Sequence, residues 1–155
     1  MKKYITTILF ILLTSLLYAD NWVMIKTGIG NETAGAGVAL ELKYQELGLV
    51  VGSGIVNENI GYSSVFRVYL SELNDQLVFL SLGYGMLNFM VLEIENNENN
   101  LIETSTTYGP FLMIGTSRTW GRVLGDYSLG VGYSTSSNGA VLTVQASLGF
   151  IFGRF

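Results

Sequence analysis

Apolar and polar residues alternate with a period of two along most of the chain. Near the C-terminus one parity is mainly apolar: Leu142, Val144, Ala146, Leu148 and Phe150. The other parity is small or polar: Thr143, Gln145, Ser147 and Gly149. The segments 38–45 and 127–134 alternate in the same way. Because successive side chains of a strand point to opposite faces, the pattern predicts strands with one apolar face.

Turn-forming residues divide the rest of the chain into similar segments. The predicted strands are 21–30, 35–45, 47–56, 60–71, 76–94, 102–117, 122–134 and 140–153. An even strand number is typical of single-chain bacterial barrels, and a tilted membrane-crossing strand needs about 9–11 residues. We therefore expect an all-β, eight-stranded antiparallel up-and-down transmembrane β-barrel.

The first residues have a different pattern. A positive start at residues 1–3 precedes an apolar run over 4–17, and Leu17-Tyr18-Ala19 is a plausible cleavage site. This order is typical of a secretory signal peptide, and the run is shorter than the roughly 20 residues of a membrane-spanning helix. We expect residues 1–19 to be the signal peptide and residues 20–155 to be the barrel.

Composition favours a surface that faces something other than water. Charged residues are 13% of the chain, against about 25% in a typical soluble domain. After removal of Lys2 and Lys3, 6 basic residues remain against 12 acidic ones, so we expect no nucleic-acid partner. The absence of cysteine excludes disulfides.

The predicted connections form two sets. Those at 45–46, 73–74 and 118–121 are expected on the periplasmic side, and those at 31–34, 57–59, 96–100 and 135–139 on the outer side. The outer side is acidic: Glu32, Glu58, Glu93, Glu95, Glu98 and Glu103. We interpret these carboxylates as solvated turn charges; the alternative is that four of them share divalent cations with lipopolysaccharide phosphates.

The outward face separates two barrel classes, because a soluble lipocalin-like barrel points its apolar face inward and a membrane barrel points it outward. The polar face would meet water in a soluble barrel, but it carries few charged side chains, which favours the membrane barrel. Aromatic residues near one end are Tyr44, Trp120, Tyr127 and Phe155. Those near the other end are Tyr62, Tyr84, Tyr108 and Tyr133. This distribution suits the two aromatic girdles of a membrane barrel, although tyrosine also simply favours strands.

These features together resemble the small eight-stranded outer-membrane barrels of the OmpA/OmpX type. The resemblance covers residues 20–155 as an architecture and includes the terminal Phe155, which in that class is read as an assembly signal. Gly153 departs from the class, which often has an aromatic residue there. The resemblance implies location in the cell outer membrane after export. It also implies contact with outer-membrane lipid, lipopolysaccharide and the barrel assembly machinery.

Charged residues are also predicted inside the barrel. The inward positions toward the periplasm include Lys26, Glu41, Lys43, Arg67 and Asp126. An eight-stranded barrel is just wide enough for its side chains to fill, and isolated buried charges are very costly. We therefore predict a paired ionic cluster that plugs this half of the lumen.

Small residues dominate the other half. The inward positions there are Gly52, Gly54, Gly83, Gly85, Gly109, Gly130, Gly132 and Ser134. We expect a blind cavity open to the exterior and lined by residues such as Gly83, Gly85, Gly130, Gly132 and Ser134. The alternative is that these glycines only let the strands bend.

The chain contains no histidine, which excludes a Ser-His-Asp site. No phosphate loop, zinc set or calcium loop is present, and no cofactor is expected. The sequence thus favours a non-enzymatic outer-membrane barrel with a structural or surface-interaction role. The first alternative is a narrow pore or small-ligand-binding barrel, and the second is a histidine-free enzyme built from residues such as Ser128, Asp126 or Lys43.

Overall fold

The computed structural model describes residues 21–56, 58–73, 76–87, 107–136 and 138–154, and the side chains of 71–73 are not among the described features. Three predictions therefore lie outside the described residues. They are the signal peptide, the assembly role of Phe155 and the acidic group Glu93, Glu95, Glu98 and Glu103.

The described residues form eight strands and no helix, so none of their segments is a helix able to cross a membrane. The strands are β1 (Trp22–Gly30), β2 (Gly35–Tyr44), β3 (Leu47–Val56), β4 (Asn59–Leu73), β5 (Gln76–Leu87), β6 (Thr107–Trp120), β7 (Val123–Ser134) and β8 (Gly139–Arg154). Each strand pairs antiparallel with the next, and β8 pairs with β1. The fold is a closed up-and-down barrel, which confirms the predicted strand number and topology.

One predicted strand end needs correction. The predicted extension of β5 to 94 and the predicted start of β6 at 102 lie outside the described residues. At its other end, β6 continues to Trp120 rather than ending at 117. Pairing of Arg118 with Gly125 and of Trp120 with Val123 continues the β6–β7 ladder past the predicted turn. Only Gly121 and Arg122 remain to reverse the chain, and the positive φ of 64° at Gly121 suits glycine.

Two irregularities interrupt otherwise regular ladders. In the β4–β5 ladder, the pairing shifts between Tyr69 and Ser71 of β4. In the β1–β8 ladder, Val23 pairs with Gly153 and Met24 pairs with Ile151, so Phe152 of β8 is an extra residue without a partner in β1. Such bulges bend a strand and increase its twist, as closure of a small barrel requires.

Burial follows the predicted parity. Inward residues of all eight strands are mostly buried, whereas the outward parity carries exposed apolar side chains such as Ile29 and Tyr62, which are 66% and 63% exposed. The buried apolar residues form two clusters. The first comprises Trp22, Met24, Tyr69, Leu77, Phe79, Leu124 and Ile151. The second comprises Ala39, Val50, Val65, Leu87, Phe111 and Met113. The barrel interior is therefore filled by side chains, and some of these side chains are charged.

Candidate functional site

Arg67 of β4 is the centre of a charged cluster in the lumen. Its Nε donates to Glu32 Oε1 over 2.8 Å, and its Nη2 donates to the other oxygen of the same carboxylate. Nη2 also donates to Asp126 Oδ2 over 2.6 Å, and Nη1 donates to Glu41 Oε2 over 3.2 Å. A single guanidinium thus contacts three carboxylates, one of them through two nitrogens, which is the geometry that arginine favours.

Lys26 of β1 contacts the same three carboxylates. Its Nζ lies 2.8 Å from Glu32 Oε2, 2.8 Å from Glu41 Oε2 and 3.1 Å from Asp126 Oδ2. The side chains of both cations and of all three carboxylates are fully buried. Because each carboxylate has two cationic partners, the cluster is a network in which each charge depends on several others.

Aromatic rings support the cations. The Arg67 guanidinium carbon lies 3.9 Å from the centre of the Phe79 ring. The Lys43 ammonium lies 4.7 Å from the Trp22 ring centre and 5.2 Å from that of Tyr69. The Tyr69 hydroxyl donates to Glu41 and accepts from Arg67 Nη1 at 3.4 Å. Lys43 therefore joins the rest of the cluster through these rings, since buried aromatic faces attract cations.

The structure brings all five predicted lumen residues together and adds a sixth, Glu32. Glu32 was expected as a solvated charge of the outer turn, and this expectation needs correction because the side chain is fully buried. The β1–β2 turn, residues 31–34, folds back into the barrel and carries Glu32 to Arg67 and Lys26. The predicted cluster had three cations and two carboxylates, and this imbalance was the one clue that a carboxylate was missing.

Polar side chains of distant strands hold the inserted turn. Ser63 Oγ donates to the Glu32 carbonyl oxygen over 2.6 Å. The Glu32 backbone N–H donates to Gln145 Oε1 over 2.8 Å, and Ser81 Oγ donates to Glu32 Oε1 over 3.2 Å. Because both the backbone and the carboxylate of Glu32 are satisfied inside the lumen, the turn is part of the packed interior.

Glycines provide the space for this turn. A Cβ atom added to Gly52 would collide with the carbonyl oxygen of Glu32, and one added to Gly37 or Gly54 would collide with that of Thr33. Two of the glycines expected to line an open cavity, Gly52 and Gly54, therefore lie against backbone. Their role is to allow the close approach of the turn.

Side chains fill the space beside the other glycines of the expected cavity. A Cβ atom on Gly83 would lie 2.7 Å from the Phe111 ring, and one on Gly85 2.6 Å from Ser63 Cβ. A Cβ atom on Gly130 would collide with the Leu112 carbonyl oxygen and lie 2.7 Å from Met113 Cγ, and one on Gly132 would lie 2.6 Å from Leu87 Cδ2. Ser134 is buried, and its hydroxyl is hydrogen-bonded to that of Thr107 at 2.6 Å. The expected cavity is therefore occupied where these residues are described, because atoms of neighbouring strands, among them the large side chains of Phe111, Met113 and Leu87, lie against the glycines.

The six lumen charges balance, with three cations and three carboxylates: Lys26, Lys43, Arg67, Glu32, Glu41 and Asp126. Cations occupy the space between the three carboxylates. The described parts of the chain contain no group of three acidic, histidine or cysteine side chains that could hold a metal ion. The arrangement stabilises charge inside a narrow barrel. No histidine or cysteine is present to act as base or nucleophile.

One oxygen of the cluster differs from the others. Asp126 Oδ2 accepts from both cations, but Asp126 Oδ1 has no hydrogen-bond partner. Ser117 and Ser147 pair with Asp126 from the two adjacent strands, and both hydroxyl oxygens are also buried without a partner. These three oxygens have the polarity to hold a bridging water.

Comparisons with known proteins identify no relative. No protein-family model matches the chain, and neither a curated protein nor a solved structure is significantly similar to it.

Proposed function

We propose that this protein is an integral outer-membrane β-barrel with a structural or surface-interaction role, and that an ionic cluster and the inserted β1–β2 turn plug its lumen. The distribution of charge carries the proposal. Of the eleven charged residues whose side chains are described, six are buried in the lumen. The five exposed ones lie in turns or within two residues of a strand end: Glu46, Glu58, Arg118, Arg122 and Arg154.

Between those ends the outward face is apolar. Large exposed aliphatic and aromatic side chains occur on all eight strands, for example Leu40, Val51, Leu82 and Leu129. Exposed apolar patches beyond a few hundred Å² are rare on soluble monomers and are typical of membrane or protein contacts. An apolar band that surrounds a closed barrel supports contact with lipid, because lipid surrounds a membrane barrel on every side.

The interior supports the same proposal. A soluble lipocalin-like barrel would point its apolar side chains inward and its charged side chains into water, whereas this barrel has six charged side chains in its lumen. Exposed Tyr44, Trp120 and Tyr127 lie toward one end, and exposed Tyr62 and Tyr133 toward the other. These positions support two interfacial girdles.

Membrane fractionation combined with heat-modifiable gel migration tests the proposal. We expect the protein in the outer-membrane fraction, and we expect unboiled and boiled samples to migrate differently because a folded barrel resists detergent. Recovery in the soluble periplasmic fraction would refute the membrane assignment.

A further inference from the structure

The outer face of the barrel has a groove that crosses five strands, from β5 to β1. It encloses about 620 Å³ and is lined mainly by apolar atoms. Its sides include Ile29, Leu148, Tyr127 and Trp120. Most of the remaining outward surface consists of large side chains, so this groove is a distinct feature of the band.

Small outward residues form the floor of the groove. Thr27, Gly125, Ala146 and Thr116 lie on four adjacent strands, β1, β7, β8 and β6. Gly125 is needed for close packing, because a Cβ atom there would lie 2.9 Å from the Trp120 ring. The small residues alternate between two neighbouring rows of cross-strand partners, since Gly125 and Thr27 both pair with Leu148, whereas Ala146 and Thr116 both pair with Tyr127.

Pairing gives the direction of the groove. Gln76, Arg118, Gly125, Leu148 and Thr27 form one continuous row of cross-strand partners. Gln76 is the first residue of β5, whereas Thr27 is the sixth of β1, which runs in the same direction. With a rise of about 3.3 Å per residue and a strand tilt of roughly 40°, the row climbs about 12 Å along the barrel axis. One leaflet of a bilayer core is about 15 Å thick.

The end of the groove next to the β6–β7 turn carries positive charge. Arg118 is exposed there and its guanidinium carbon lies 5.8 Å from the Trp120 ring centre. Arg122 and Arg154 are exposed at the same end of the barrel. A cation at the interface followed by an apolar channel of leaflet depth is complementary to an anionic headgroup and its acyl chain.

We propose that this groove binds one glycerophospholipid of the leaflet at the barrel end that carries the β6–β7 turn, with its anionic headgroup at Arg118 and an acyl chain beside Trp120 and over Ala146. The inference rests on the membrane assignment proposed above. It adds a specific lipid site to that assignment, since contact with lipid alone requires no preference among headgroups.

Tryptophan quenching provides the test. The chain has two tryptophans: Trp120 borders the groove, and Trp22 is buried in the lumen at 6% exposure. In a Trp22→Phe background, the barrel is reconstituted into vesicles with increasing fractions of brominated phosphatidylglycerol or brominated phosphatidylcholine. We expect half-maximal quenching of Trp120 at an about fivefold lower fraction of the anionic lipid, the factor expected for one arginine near an anionic surface.

Two matched pairs of variants locate the site. Arg118→Gln should remove the preference for phosphatidylglycerol, whereas Arg154→Gln at the same end should keep it. Ala146→Leu should also remove it by filling the floor, whereas Ala140→Leu, an outward alanine of the same strand, should keep it. Heat-modifiable migration of each variant establishes that the barrel is folded.

The outcomes separate this inference from the membrane assignment. Equal quenching by the two lipids, or equal loss of preference in both arginine variants, would refute the site while the barrel remains a membrane protein. No quenching of a folded barrel by either lipid would refute the membrane assignment itself. Loss of preference in Arg118→Gln and Ala146→Leu alone would support the site.

Discussion

Replacement of Arg67 by Met is the most direct test of the lumen cluster. Methionine keeps an apolar side chain over the Phe79 ring but removes the cation that contacts Glu32, Glu41 and Asp126. The lumen would change from balanced charge to an excess of one carboxylate. Breaking a buried pair by removing one partner typically costs about 3–5 kcal/mol, so we expect a loss of unfolding free energy in that range.

A second change determines whether the loss comes from charge imbalance. Glu32→Gln keeps the shape of the side chain and removes one negative charge, so the double variant with Arg67→Met has a balanced lumen again. We expect the double variant to lose about 1–3 kcal/mol less than the sum of the single losses, as for residues in one buried network. Glu58→Gln, in the exposed β3–β4 turn, is the matched control and should change stability little.

Urea unfolding in lipid vesicles, followed by tryptophan fluorescence, measures these free energies. Additive losses in the double variant would refute the charge-balance argument. A loss below about 1 kcal/mol for Arg67→Met would indicate instead that water or nearby side chains compensate the carboxylates.

Three further predictions use the same barrel. Gly52→Ala should lower the free energy of unfolding, measured with urea, by about 1–3 kcal/mol, because the added methyl group overpacks against the inserted turn. Gly48→Ala should lower it less, because the nearest neighbours of Gly48 are side-chain atoms at 3.2–3.3 Å. Equal losses would contradict the proposed role of Gly52. Tyr69→Phe should cost about 1–3 kcal/mol because it removes a donor to the buried Glu41 carboxylate, whereas an equally large loss for Tyr44→Phe on the exposed face would argue against that cause. In planar bilayers the wild-type protein should show no steady conductance, because side chains and the inserted turn fill the described lumen; steady single-channel currents would rule out the plug.

The sequence alone was sufficient to predict the strand count, the order of pairing and the alternation of inward and outward residues along the described strands. These features are local, because the side-chain direction in a strand has a period of two and short turns force consecutive strands to pair. The same parity predicted that Lys26, Glu41, Lys43, Arg67 and Asp126 point into one lumen. Strand ends such as that of β6 were less accurate, because the ladder continues as far as the two strands can pair.

The position of Glu32 and the use of the inward glycines depended on the tertiary structure. The residues of the turn at 31–34 by themselves predict a solvated turn. Its insertion depends on contacts of Glu32 with Ser63, Arg67 and Gln145, which lie 31, 35 and 113 residues further along the chain. Likewise, the space beside an inward glycine is either an empty cavity or is filled by atoms of a neighbouring strand or turn, and the sequence does not determine which. Only the closed barrel brings the turn, the glycines and the unbalanced cations within contact distance, so only the closed barrel decides how its lumen is filled.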